Sequence, residues 1–184
     1  MYDILLGIIY AAAKILVPCL PPAPLSSQGL LTNDKYMGKW YFIGVASWDE
    51  EDIAVYKPID NSIAELHKGA NDSVIMTAAI NEAEECKIMS WTYKIDPDLD
   101  PLMEEGDRLG LAFDGKWVNC PSCLLLLKLD TENAFLRIML FSRSQEGRAE
   151  LVEKFKSRME CLLIFDQFVI PQQTKEFCKL DVIT

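Results

Sequence analysis

The sequence predicts an all-β domain, an antiparallel sandwich or an eight-stranded antiparallel up-and-down barrel, with one α-helix packed on its outside. Two observations carry that expectation. From Gly38 to Arg143 short strand-like runs follow one another, separated by turn residues and never by a helical period. The period then changes once, at Ser144–Leu162, where Leu151, Val152, Phe155 and Met159 recur at helical spacing with charges between them. Closing the meander into a barrel removes the edges that an open sheet would expose.

Residues 1–18 form the most apolar stretch, Ile4 to Val17, broken by Lys14. It is short for a membrane span and suits a signal h-region. Ala11-Ala12-Ala13 offers a cleavage site, while Asp3 leaves the leading region poor in positive charge. Two fates stay open: removal, or retention as an apolar hook in a lipid surface. Residues 19–37 are a lead-in rich in proline, with Pro21, Pro22 and Pro24. Prolines hold extended chain and remove donors, so this segment is expected to lie across the surface.

The domain proper is residues 38–184, with the barrel over 38–143 and the helix over about 146–162. Lys39–Ser47 reads as the first strand, with Trp40, Phe42 and Gly44 on one side and Tyr41, Ile43 and Val45 on the other. Asn61–His67 and Ser73–Ile80 follow, separated by the turn cluster Lys68-Gly69-Ala70-Asn71-Asp72. In Glu85–Ile95, Ile88, Ser90 and Thr92 alternate with Met89, Trp91 and Tyr93. A short run near Leu102–Gly106 comes next, then Arg108–Asn119 and Leu124–Asp130. Ala134–Arg143 is the last barrel strand, with Phe135, Arg137, Met139 and Phe141 on one face. Leu163–Ile170 reads as a short extra strand.

Composition narrows the function. Half the residues are hydrophobic, enough for a sizeable core, and the formal net charge is −10. An acidic chain repels phosphate backbones, which argues against nucleic acid as a partner. One histidine, His67, excludes zinc sites built on several histidines, and it reads as solvated surface. No metal and no cofactor are expected. Six dispersed cysteines suggest disulfides and an oxidising compartment, although spacing does not choose their pairing. Asn71-Asp72-Ser73 is a glycosylation sequon on an expected loop.

Gly38-Lys39-Trp40 at the first strand and Arg143 at the end of the last resemble the lipocalins, with Pro58-Ile59-Asp60-Asn61 opening the second strand. In that family a basic residue at the last strand's end lies over the tryptophan, so Gly38, Trp40 and Arg143 are expected to be structural. Cys86 through Tyr93, Leu140–Ser144 and Glu153-Lys154-Phe155-Lys156-Ser157 extend the resemblance to the lipocalins of plasma lipoproteins.

That resemblance implies a secreted monomer that is not an enzyme, attached to lipoprotein particles and carrying a small amphipathic lipid such as sphingosine-1-phosphate. It places the head-group contacts on Trp91, Tyr93, Arg108 and Arg137. Asp130 stands where a glutamate receives the ammonium, Phe141 where a tyrosine stands, and Met89 where an arginine stands. The Met89 departure points equally to retinoids, fatty acids or steroids. The resemblance also pairs Cys19 with Cys161 and Cys86 with Cys178. The third family bridge lacks its partner near Ala149, which leaves Cys120 to close on the extra Cys123. An enzymatic alternative, prostaglandin isomerisation, would need Cys120 or Cys123 as a free cavity thiol.

Read without the resemblance, each arginine suits a solvated surface as well as a ligand. Trp91 and Tyr93 suit plain packing. In a barrel those readings merge, because the inner face is also the ligand wall.

Overall fold

The computed structural model describes residues 19, 23–95, 102–104, 109–129, 135–164 and 167–180. The segment 1–18, Arg108 and Asp130 lie outside them. Eight antiparallel strands make the barrel: β1 (Gly38–Ser47), β2 (Ile59–Lys68), β3 (Ser73–Glu82), β4 (Glu85–Ile95), β5 (Leu102–Glu104), β6 (Leu109–Asp114), β7 (Cys123–Leu129) and β8 (Phe135–Ser142). Each pairs with the next, and β1 closes the ring by pairing with both β2 and β8. A ninth strand, β9 (Phe168–Val169), adds to β1 beside Val45 and Ala46.

Helices stand at two places where none was expected. The lead-in does not merely cross the surface: helix α1 (Ser27–Thr32) is capped by Ser26 Oγ, which accepts from Gly29 N at 3.0 Å. Its Leu30 and the following Tyr36 are buried in the barrel's inner cluster. Helix α2 (Glu50–Ala54) stands between β1 and β2, with the Asp49 side chain accepting from Glu51 N. Three acidic residues in its first turn complement the helix dipole. The Arg108–Asn119 run also divides, because Asp114 ends β6 by capping a tight turn at Gly115–Val118.

A bulge corrects the first strand. The β1–β8 register shifts between Phe42 and Gly44, and an extra residue in one strand reverses the parity of everything after it. Trp40, Phe42 and Val45 therefore share the interior, while Ile43 and Ala46 face outward. Gly44 lies on the outside as well. A Cβ there would meet Ile170 Cδ1 at 2.5 Å and the Val169 carbonyl at 3.2 Å, so glycine lets the tail pack closely.

That outer face is covered by helix α3 (Arg148–Cys161), somewhat shorter than expected. Leu151, Val152, Phe155 and Met159 pack on Ile43, Leu125, Ile138 and Leu140. Phe155 and Met159 are wholly buried, and each contributes about 2–3 kcal/mol by burial. Cys19 bonds Cys161, Cys86 bonds Cys178, and Cys120 bonds Cys123, which leaves no free cysteine. No thiol is therefore available for the prostaglandin alternative. His67 is half-buried in β2, not solvated.

One end of the barrel is shut. The Arg143 guanidinium lies 3.6 Å from the Trp40 ring centroid and donates to the carbonyls of Lys39, Lys35 and Met37 at 2.5–2.6 Å. Trp40 Nε1 donates in turn to Tyr36 O at 2.9 Å. Gly38 enters this arrangement at a φ of 87°, a left-handed value that costs a β-carbon strain. Arg143→Ala is expected to lower stability by about 2–3 kcal/mol, measured by urea unfolding, with Arg143→Lys recovering less than half.

The tail is clasped near the other end. Asp60 accepts from Thr174 N and Oγ1 and from Lys175 N, while Asn61 and Asn81 donate to Glu176 O. Burial pushes the Asp60 carboxyl up, yet the bonds from Thr174, Lys175 and Asn61 outweigh it and hold it at about 2, below the usual 3.8. A depressed carboxylate stabilises fully above its unfolded pKa and loses that contribution as the pH falls through its folded one. Acidification from about pH 4 to about pH 2 is therefore expected to loosen residues 171–177, seen as faster amide exchange after correction for intrinsic rates. Asp60→Asn should be loose at neutral pH and show no such step.

Candidate functional site

The inner face of the barrel is not filled evenly. Towards the shut end Leu30, Leu66, Val74, Leu102, Ala112 and Leu124 converge, leaving only about 10 Å³ between them. Towards the other end the walls part around a cavity of about 520 Å³. That lies within the roughly 300–1,000 Å³ typical of small-ligand sites. Val55 and Met89 line it and are exposed, so the cavity opens to solvent between the α2 segment and the start of β4.

Its walls follow from strand alternation. β4 sends Met89, Trp91 and Tyr93 inward, β8 sends Arg137, Met139 and Phe141, and β3 sends Met76, Ala78 and Ile80. Phe42 packs against Phe141 with ring centroids 5.6 Å apart. Of the seven residues expected to meet a ligand, the structure thus brings Met89, Trp91, Tyr93, Arg137 and Phe141 to one cavity. Arg108 and Asp130 are outside the described residues. Trp40, Gly38 and Arg143 sit at the shut end and do not line the cavity.

Among the described residues two cations, Arg137 and Lys128, and one carboxylate, Glu82, line an otherwise mainly apolar space. Arg137 is held by Asp52 of helix α2, Nη1 to Oδ1 at 2.5 Å, with both side chains largely buried. The guanidinium also lies 5.6 Å from the ring centroid of Tyr56. Arg137 Nε and Asp52 Oδ2 are buried without a hydrogen-bond partner among the described residues. The second cation is Lys128 on β7, 3% exposed, its Nζ 4.5 Å from the Tyr93 ring centroid.

Lys128 and Asp52 were missed by sequence reasoning, for different reasons. A signal for Lys128 existed: it follows Leu124 and Leu126 at period two, on the face that turns inward. Nothing local marked Asp52, because its partner is 85 residues away. The α2 segment is tied over the opening at several points. Ser47 Oγ accepts from Asp49 N at 3.0 Å, Ile53 is buried in the inner cluster, and Tyr56 Oη contacts the Met139 sulfur at 3.8 Å. The sequon residue Asn71 is exposed on the β2–β3 turn, away from the cavity, with a φ of 54°.

The ApoM domain profile matches residues 4–182, nearly the whole chain. The chain belongs to the ApoM family. Apolipoprotein M of Mus musculus is 28% identical over 153 residues, covering 81% of this chain and 78% of its own. Apolipoprotein M of Rattus norvegicus matches with the same identity and coverage. Among solved structures, the siderocalin Ex-FABP, described as acting through dual ligand specificities, superposes with a TM-score of 0.62 at 16% identity. It covers 78% of this chain and 97% of its own. A second siderocalin, described as having a dual ligand binding mode, gives 0.62 at 18% identity, with 83% and 98% covered. At such identities these likenesses speak for the fold alone. An ApoM-family chain on a lipocalin barrel is a lipid-binding transport protein.

The Asp52–Arg137 pair predicts how the α2 segment behaves. Breaking a largely buried pair strands one charge, at a cost of about 2–4 kcal/mol. Asp52→Asn is expected to speed amide exchange across residues 50–56 while leaving β4 and β7 protected. Uniform exchange across all these segments would show that the pair does not hold the segment.

Proposed function

We propose that this ApoM-family chain carries one amphipathic lipid with an anionic head, of the sphingosine-1-phosphate type, in the barrel cavity. The observation that carries this reading is a mainly apolar cavity with Arg137 and Lys128 among its lining residues. The hydrocarbon tail is buried against Phe42, Met76, Met139 and Phe141. Trp91 supplies apolar area, and Tyr93 offers a hydroxyl to the head. Arginine suits phosphate because its planar donors meet two oxygens at once. Arg108 and Asp130 are proposed to complete the head-group contacts.

A second ligand reading has an observation in its favour. Met89 stands where a third cation is expected, and Arg137 already spends one donor on Asp52. Both features suit a single carboxylate or an uncharged head, as in fatty acids or retinoids. Native mass spectrometry after mild lipid extraction separates the two: a bound phospho-lipid supports the first, a fatty acid or retinoid the second.

The chain is proposed to be a secreted monomer, in keeping with six paired cysteines and an exposed Asn71 available for glycan attachment. Its residues 1–18, if retained, anchor it in a lipoprotein monolayer; N-terminal sequencing of the secreted protein decides between retention and removal. Arg137→Ala is expected to weaken sphingosine-1-phosphate binding about tenfold or more while changing retinol binding less than about threefold, by fluorescence titration. Equal loss for both ligands, or for neither, rejects the head-group role.

A further inference from the structure

Among the described residues five large apolar side chains are exposed: Trp48, Val55, Ile88, Met89 and Leu163. Four of them belong to the open end. Val55 and Met89 line the cavity there. Trp48 directly follows Ser47, which pairs with the cavity residue Arg137. Ile88 precedes Met89 on β4 and turns to the outer side of the same rim. These side chains come from three separate segments, so no single strand or turn explains their grouping. Each is 46–63% exposed.

The charge around this rim restricts what it meets. Asp49, Glu50 and Glu51 are exposed directly beside Trp48. Glu84 and Glu85 are exposed on the turn that opens β4. Among the described residues of the region, Lys87 is engaged with Glu82 at 2.9 Å and Lys175 with Glu84 at 2.7 Å, and Lys57 is a further exposed cation. An acidic collar on a chain of net charge −10 is repelled by anionic head groups. Tryptophan settles well where apolar tails meet polar heads. Among the described residues no helix is long and apolar enough to cross a membrane.

We propose that the open end of the barrel is itself a docking surface for a neutral, zwitterionic lipid monolayer, with Trp48, Val55, Ile88 and Met89 entering the head-group layer. This contact is separate from any anchorage by residues 1–18. It brings the cavity mouth against the phase in which a sparingly soluble lipid is stored, and the lipid passes across without entering bulk water. The inference rests on the lipid reading of the cavity.

The test uses the full chain and follows loading of a fluorescent long-chain lipid from phosphatidylcholine vesicles. Trp48→Gln combined with Ile88→Gln is expected to slow loading about tenfold. Neither side chain lines the cavity, so equilibrium affinity for a water-soluble short-chain analogue should be unchanged. Replacing about a fifth of the phosphatidylcholine with phosphatidylserine is expected to slow the wild type about threefold, and about 0.5 M salt to restore it. Both proteins keep residues 1–18, so vesicle attachment through that segment is common to them. Equal loading rates for variant and wild type overturn the proposal, and so does faster loading from anionic vesicles. A parallel loss of affinity for the soluble analogue also overturns it, by making the rim part of the cavity. Failure of the wild type to bind the analogue overturns the lipid reading instead. Should the double variant not fold, Trp48→Gln alone and the vesicle-charge comparison decide the same question.

Discussion

The barrel depends on one stacked cation at its shut end. Arg143 covers the Trp40 indole and uses its donors on three carbonyls of the chain entering β1. Desolvation lowers the Arg143 pKa. A guanidinium stays charged under such conditions where an ammonium would not do so as readily. This arrangement fixes where β1 starts and ties it to the end of β8. It also holds the entering chain, so that Leu30 of α1 and Tyr36 are buried in the inner cluster. The lower interior is thereby filled, and the ligand space is confined to the opposite end.

Polar chemistry is distributed accordingly. At the shut end the bonds that Arg143 and Trp40 donate all go to backbone carbonyls. At the open end two side chains, Arg137 and Asp52, are paired, with one buried atom on each left unpartnered among the described residues. An incompletely satisfied pair is the easier one to rearrange. The same contrast separates exterior from interior. The exterior is acidic, yet the cavity wall carries Arg137 and Lys128. In a low-dielectric interior a cation attracts an anion more strongly than it would in water, whatever the global charge.

Much of this was legible along single strands. The inward set Met89, Trp91 and Tyr93 and the inward set Arg137, Met139 and Phe141 follow from a period of two without interruption. The helix followed from its own period, and its four apolar residues are the ones buried. The first strand failed after Phe42, because a bulge reverses alternation and leaves no mark in composition. Helix α2 was missed because five residues are too few for a helical period to register. The plug made by α1 was hidden by the prolines before it, which made the whole lead-in read as extended.

The lock between Trp40 and Arg143 was expected from the resemblance to the lipocalins; by itself, the sequence determined the antiparallel all-β domain, the outside helix and the inner faces of β4 and β8. These are consequences of local periodicity and of residue types that act where they stand. The tertiary structure decided the rest: the depth of the cavity, the Asp52 partner of Arg137, the placing of Lys128 on the Tyr93 ring, and the apolar rim. Each depends on segments far apart in the chain meeting across the barrel. Strand register, shifted by bulges, sets those meetings, and no local pattern encodes it.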